Sequence, residues 1–210
     1  MLSEVPSLSE FALYLRVGFH HIVALGAWDH ILFVAALTAA YGPREWKRVA
    51  WLITGFTVGH SITLALATFD MVRPSAKLVE PLIALTIVAT AAFAVRNQIV
   101  APATRGEERT AWRGRFGIAC GFGLVHGLGF ASGLRAILGA EQSVTVPLLG
   151  FNVGIEAGQL LIVSAIFALG VVALRWLGVS RRSWVLTIGT AAGAAGLTLL
   201  LTRLVAMAGD

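Results

Sequence analysis

Cysteine, lysine and acidic residues are scarce in this chain, and each scarcity removes a class of function. A single cysteine, Cys120, can close no internal disulfide and builds no thiolate metal cluster. With three methionines besides, a soft-ligand path for Cu(I) is unsupported. Charged residues make up 13% of the sequence, about half the roughly 25% of soluble domains. The net charge of +5 does not signal nucleic acid, because the 14 Arg and 2 Lys sit in short breaks between apolar runs rather than on one face. The start, "MLSEVPSLSE", lacks a basic n-region and reads as a short amphipathic or extended lead-in, not as a cleaved signal peptide.

What remains is apolar. Hydrophobic residues are 57% of the chain and the mean hydropathy is +0.82. Runs long enough to cross about 30 Å of hydrocarbon recur along the whole length. The expected fold is an all-α polytopic membrane bundle forming a single transmembrane domain. Its six spans are read at residues 15–40, 49–69, 78–97, 115–138, 147–174 and 184–207. Each must be helical, since lipid offers an unpaired backbone group no partner. The breaks carry Gly42-Pro43, the stretch Asp70 to Lys77 with Pro74, the polar stretch 96–115, Gly139 to Ser143, and Ser180-Arg181-Arg182. Eleven Lys and Arg follow spans 1, 3 and 5 against five on the other side, which predicts both termini outside the cytoplasm. Small-xxx-small pairs (Gly117/Gly121, Gly123/Gly127, Gly129/Gly133, Gly154/Gly158, Gly189/Gly193) predict close helix packing.

Five histidines interrupt the apolar spans, and none lies in a break. His20, His21 and His30 fall in span 1 with Asp29, His60 in span 2, and His126 in span 4. Span 5 adds Asn152, Glu156 and Gln159, whose spacing of four and three residues puts them on one helix face. Ionisable groups inside lipid are costly and mark pathways or sites. Continuous helices at 1.5 Å per residue bring Asp29, His30, His60, His126 and Glu156 to nearly one depth. Imidazoles with carboxylates suit divalent Ni²⁺, Co²⁺ or Zn²⁺. His20, His21 and Glu80, nearer the outer face, form a candidate first binding site. The plainer readings are interhelical hydrogen bonding for any one histidine, an N-cap role for Glu80 before Pro81, and backbone-bonded hydroxyls for Thr57, Ser61 and Thr63. Span 6 has no ionisable residue until Arg203 and reads as scaffold.

The segments "HHIVALGAWDHILF", "GFTVGHSITLALA", "KLVEPLIALTIV", "RFGIACGFGLVHGLGFASGL" and "LLGFNVGIEAGQL" resemble the HupE/UreJ family of bacterial membrane proteins, in its second branch, over residues 16–165. The resemblance implies an inner-membrane permease fold of six to eight helices that handles nickel or cobalt. The family's first motif falls on His21, Gly26, Asp29 and His30. Here Ala27 and Trp28 separate the glycine from Asp29, and Ile22 follows His21 where the nickel branch has proline. The later motifs place His60, Glu80, His126, Asn152, Glu156 and Gln159 at positions similar to those the family shares.

Three functions stay open on this reading. One is a permease for Ni²⁺ or Co²⁺, with Asp29, His30, His60, His126, Glu156, His21 and His20 as ligands and Glu80, Asn152, Gln159, Ser61 and Thr57 along the path. "GFGLVHGLGF" lacks the Walker lysine, so ATP is not the expected energy source. The second is an intramembrane zinc hydrolase, because three histidines and a carboxylate also build a catalytic zinc site. The third is a metal-binding accessory subunit that transports nothing. A homo-oligomer or a protein partner is compatible with each.

Overall fold

The computed structural model describes residues 5–73, 75–99, 105–138 and 144–209. Residues 1–4 of the lead-in, Pro74, and the break from Gly139 to Ser143 lie outside the described residues, as do the side chains of Arg105, Arg109 and Arg113. The described chain is helical throughout its apolar runs: α1 (Val5–Val23), α2 (Trp28–Ala39), α3 (Trp46–Thr68), α4 (Ala76–Ile99), α5 (Arg105–Leu138), α6 (Thr145–Val171) and α7 (Arg181–Ala208). Five helical stretches are long and apolar enough to span a bilayer, and α1 and α2, bent by 71° at their break, meet the same test as a pair. The protein is a multi-pass membrane protein.

Three features differ from the sequence reading. Span 1 is not one helix but two, separated by residues 24–27. Much of the polar stretch after span 3 is helical, since α5 begins at Arg105. Glu80 is no N-cap either: α4 starts at Ala76, and Pro81 lies inside the helix, buried. Proline in a helix interior removes one i→i−4 hydrogen bond, so the backbone bond to the Lys77 carbonyl is missing there.

Close approaches set the helix pairs. α3 packs along α5, α1 along α6, and α4 along α7. A Cβ on Gly123 would stand 2.0 Å from the Phe56 carbonyl oxygen, and one on Gly154 2.1 Å from that of Leu15. The backbones therefore touch where only hydrogen fits, and dispersion over that contact replaces the hydrophobic drive that lipid cannot supply. Gly117 and Gly121 face open space instead. They lie on the other side of α5 from Gly123 and Gly127, because six residues turn a helix by 240°. The contacts also give directions: α1 runs parallel to α6 and α3 parallel to α5, while α7 runs antiparallel to α4.

Two large apolar clusters fill the interior, with a small third one of Ala36, Ala91 and Ala192 where α2, α4 and α7 meet. One gathers Tyr14, Ile22, Leu64, Leu134, Leu138, Phe151 and Ile155. The other gathers Phe33, Val34, Val49, Ile53, Phe56, Ile87 and Val163. His60 lies one turn from Phe56 on one side and one turn from Leu64 on the other, so the polar layer separates the two.

Candidate functional site

The break between α1 and α2 builds the site. Nine residues of continuous helix would carry His30 about 13.5 Å beyond His21. The bend cancels most of that advance, and the His21 and His30 ring centroids stand 4.9 Å apart. The C-terminal end of α1 and the N-terminal end of α2 thus meet inside the bundle. Interrupted helices of this kind place dipole ends where membrane proteins handle ions.

Three imidazoles converge there. His21, His30 and His60 each offer a ring nitrogen within 4.8 Å of the others. A fourth, His126, has its centroid 5.0 Å from that of His30. Two nitrogens sharing one metal at about 2.1 Å each stand roughly 3–3.5 Å apart. The triad is therefore an open form of such a site, a side-chain adjustment short of closure. His60 is wholly buried, and neither of its ring nitrogens has a partner; the same holds for His21 Nε2, His30 Nε2 and His126 Nδ1. Buried polar atoms left unbonded are rare and call for an explanation. Here five of them sit on four neighbouring rings.

The bonds these rings do make fix which nitrogen is free. Asp29 Oδ1 accepts from His30 Nδ1 at 3.1 Å, since a carboxylate only accepts. That assigns the lone pair of His30 to Nε2. The Thr86 hydroxyl donates to the Ile83 carbonyl at 2.7 Å and contacts His126 Nε2 at 2.9 Å. Its one proton is committed to the carbonyl, so it accepts from Nε2–H, and the His126 lone pair falls on Nδ1. A carboxylate or hydroxyl behind an imidazole orients ring and tautomer in metal sites. Phe33, Phe56, Phe130 and Phe151 pack against the four rings.

A cavity of about 420 Å³ opens onto this cluster, lined by His21, Asp29, His30, Glu80, His126 and Arg203, with Ala24 and Gly26 from the break. Arg203 was not singled out in the sequence, where α7 read as scaffold. Its side chain is 20% exposed and stands 3.8 Å from Asp29 Oδ2 and 3.8 Å from Glu80 Oε2, while Nη1 donates to the Glu80 carbonyl at 2.8 Å. The signal was available: one cation several residues inside the end of an otherwise apolar helix. Thr86 gave no comparable signal, because hydroxyls are common in such helices.

The other expected residues fall elsewhere. His20 is exposed and turns an edge to Phe19 rather than joining the cluster. Glu80 is exposed at the rim of the cavity. Glu156 accepts from Thr54 Oγ1 at 2.6 Å, six residues and about 9 Å along α3 from His60. Gln159 is buried one turn further along α6, accepting from Thr57 at 3.0 Å with its Nε2 unpartnered. Asn152 Oδ1 is likewise buried and unpartnered. Ser61 donates to the Thr57 carbonyl at 2.6 Å, as the plainer reading held. Glu156 and Gln159 thus form a second polar contact between α3 and α6, apart from the imidazoles.

Residues 2–203 match the family described as HupE / UreJ protein. The chain belongs to the HupE/UreJ family. Comparison with curated proteins and with solved structures gave no match. Family membership agrees with the multi-pass helical fold, and all four clustered histidines lie within the matched residues.

Proposed function

We propose that this HupE/UreJ protein is a permease carrying a divalent transition metal, Ni²⁺ or Co²⁺, across the bacterial inner membrane. The observation that supports this reading is the group of buried, unbonded imidazole nitrogens on His21, His30, His60 and His126 beside a cavity. Neutral imidazole is a borderline donor that suits these ions. Asp29 supplies negative charge without being spent as a ligand, since it holds His30. The open spacing of the rings suits cargo, because a transported ion must leave as readily as it enters. Both chain termini are proposed to lie outside the cytoplasm, which makes the Asp29–Glu80–Arg203 side the metal's approach.

The zinc-hydrolase alternative has less support. A hydrolase needs a carboxylate near the metal water as general base, whereas Asp29 is engaged by His30 and Arg203, and Glu156 by Thr54. The deciding experiment is uptake of ⁶³Ni²⁺ or ⁵⁷Co²⁺ by cells or proteoliposomes, with His60→Ala and His30→Ala as controls. The permease reading expects both substitutions to reduce uptake to background at unchanged protein level. Uptake indifferent to both would end it.

A further inference from the structure

A second, smaller cavity of about 130 Å³ lies beyond the first, lined by Ala76, Lys77, Glu80, Pro81, Arg203, Ala206 and Met207. Glu80 and Arg203 line both cavities. The Arg203 guanidinium therefore stands between a vestibule at the start of α4 and the imidazole chamber. Among the described residues, its hydrogen bond is to a carbonyl, 2.8 Å from Glu80 O. Toward Asp29 and Glu80 it holds 3.8 Å, too long for directed hydrogen bonds, so charge alone makes those pairs.

We propose that Arg203 is an internal counter-ion and gate: it neutralises Asp29 while the imidazole chamber is empty and gives Asp29 up when a dication arrives. The inference rests on the permease reading and adds a residue to it. The physics is charge balance in a half-buried site. An unpaired carboxylate at this depth is unfavourable, and Arg203 removes that penalty from the empty state. A dication held by His30 sits directly behind Asp29 and repels a guanidinium on the other side of the same carboxylate. One carboxylate cannot balance both the dication on His30 Nε2 and the guanidinium, so metal entry drives Arg203 outward, and its return drives metal release. The weak 3.8 Å pairs suit that exchange. Arginine is fitted to the part because it never loses its proton, so its own charge stays constant as the metal comes and goes. Pro81 adds to the local geometry, since α4 lacks one backbone bond beside Glu80.

The test compares Ni²⁺ affinity and Ni²⁺ flux in the full chain. Two neutral variants, Arg203→Gln and Arg203→Met, are made so that a folding defect in one leaves the other; Arg203→Lys keeps the charge. Affinity is read by calorimetry with Ni²⁺ alone at pH 8, and flux by ⁶³Ni²⁺ uptake into proteoliposomes. Removing one positive charge at this range predicts about tenfold tighter Ni²⁺ binding in the neutral variants. Uptake at saturating Ni²⁺ falls at least fivefold, because release loses its driving charge. Arg203→Lys binds within threefold of the unaltered chain. Affinity unchanged within twofold in the neutral variants overturns the gate, as does equal tightening in the lysine variant. His60→Ala separates the two ideas: if it abolishes Ni²⁺ binding while neutral Arg203 variants behave as the parent, the gate alone falls. If the parent chain binds no Ni²⁺, the permease reading falls and takes the gate with it.

Discussion

Thr86 accepts the Nε2–H of His126 at 2.9 Å, and the bond leaves His126 Nδ1 buried and unpartnered beside His30. Among the described residues, the hydroxyl hydrogen-bonds no other histidine. It acts by holding a tautomer.

Thr86→Val keeps the shape and removes the acceptor. The His126 ring then loses its preference for the Nε2–H form and its fixed angle. Partners behind a ligating imidazole are worth about 10–100-fold in metal affinity, so Ni²⁺ binding measured by calorimetry should weaken at least tenfold while the purified protein stays folded. Unaltered affinity would mean that His126 is not a ligand.

Asp29→Asn tests the other oriented ring. The amide can still accept from His30 Nδ1, but the negative charge facing Arg203 is gone. Ni²⁺ affinity is expected to fall by about tenfold or more at pH 7, by the same reckoning. The loss should exceed that of Ser61→Ala, whose hydroxyl only bonds the Thr57 carbonyl.

Gly123→Ala and Gly121→Ala form a matched pair on one helix. A Cβ at Gly123 meets the Phe56 carbonyl oxygen at 2.0 Å and His60 N at 2.9 Å, whereas one at Gly121 meets nothing within 4 Å. Forcing α3 from α5 is expected to lower stability by about 1–3 kcal/mol and to spread His60 from His126, abolishing uptake. Gly121→Ala should unfold in detergent at the parent temperature or slightly above it.

Asp70 gives a pH-dependent prediction at the α3–α4 turn. It accepts from Arg73 Nε at 2.8 Å and from Arg135 at 3.0 Å, the second of which ties the turn to α5. The Arg73 side chain beside it, with Arg135, holds its carboxyl below the ordinary range. A lowered folded-state pKa contributes stability above the unfolded value near 3.9, lost as pH falls through the folded value. Asp70→Asn should therefore lower the unfolding temperature in detergent at pH 7, and the difference from the parent should vanish in strong acid. Asparagine is the suitable replacement because residue 70 has φ of +59°, a conformation asparagine tolerates and most residues do not.

Much of this protein could be read from its residues in order. Apolar runs of bilayer length dictate helices, because backbone groups in lipid have no other partner; five of the six expected spans coincide with single helical segments to within a few residues at the apolar core. The presence of histidines in those runs, and nowhere else, pointed to the four that meet, though it did not set His20 apart from them. Gly123, Gly127, Gly154 and Gly158 also announced the contacts they make.

What the order of residues did not contain was where the chain stops being a helix. Nothing in "VALGAWD" forces a break: one glycine in an apolar run is tolerated at about 1 kcal/mol, and the bend is decided by what α1 and α2 pack against, α6 for the first and α4, α7 and α6 for the second. That bend brought His21 beside His30, while the packing of α3 on α6 gave Glu156 to Thr54. The packing of α7 along α4 gave Arg203, 123 residues from Glu80, its place between two cavities. Periodicity fixes which side of a helix a residue lies on; only the packing of separate helices fixes which residues face one another across the gap.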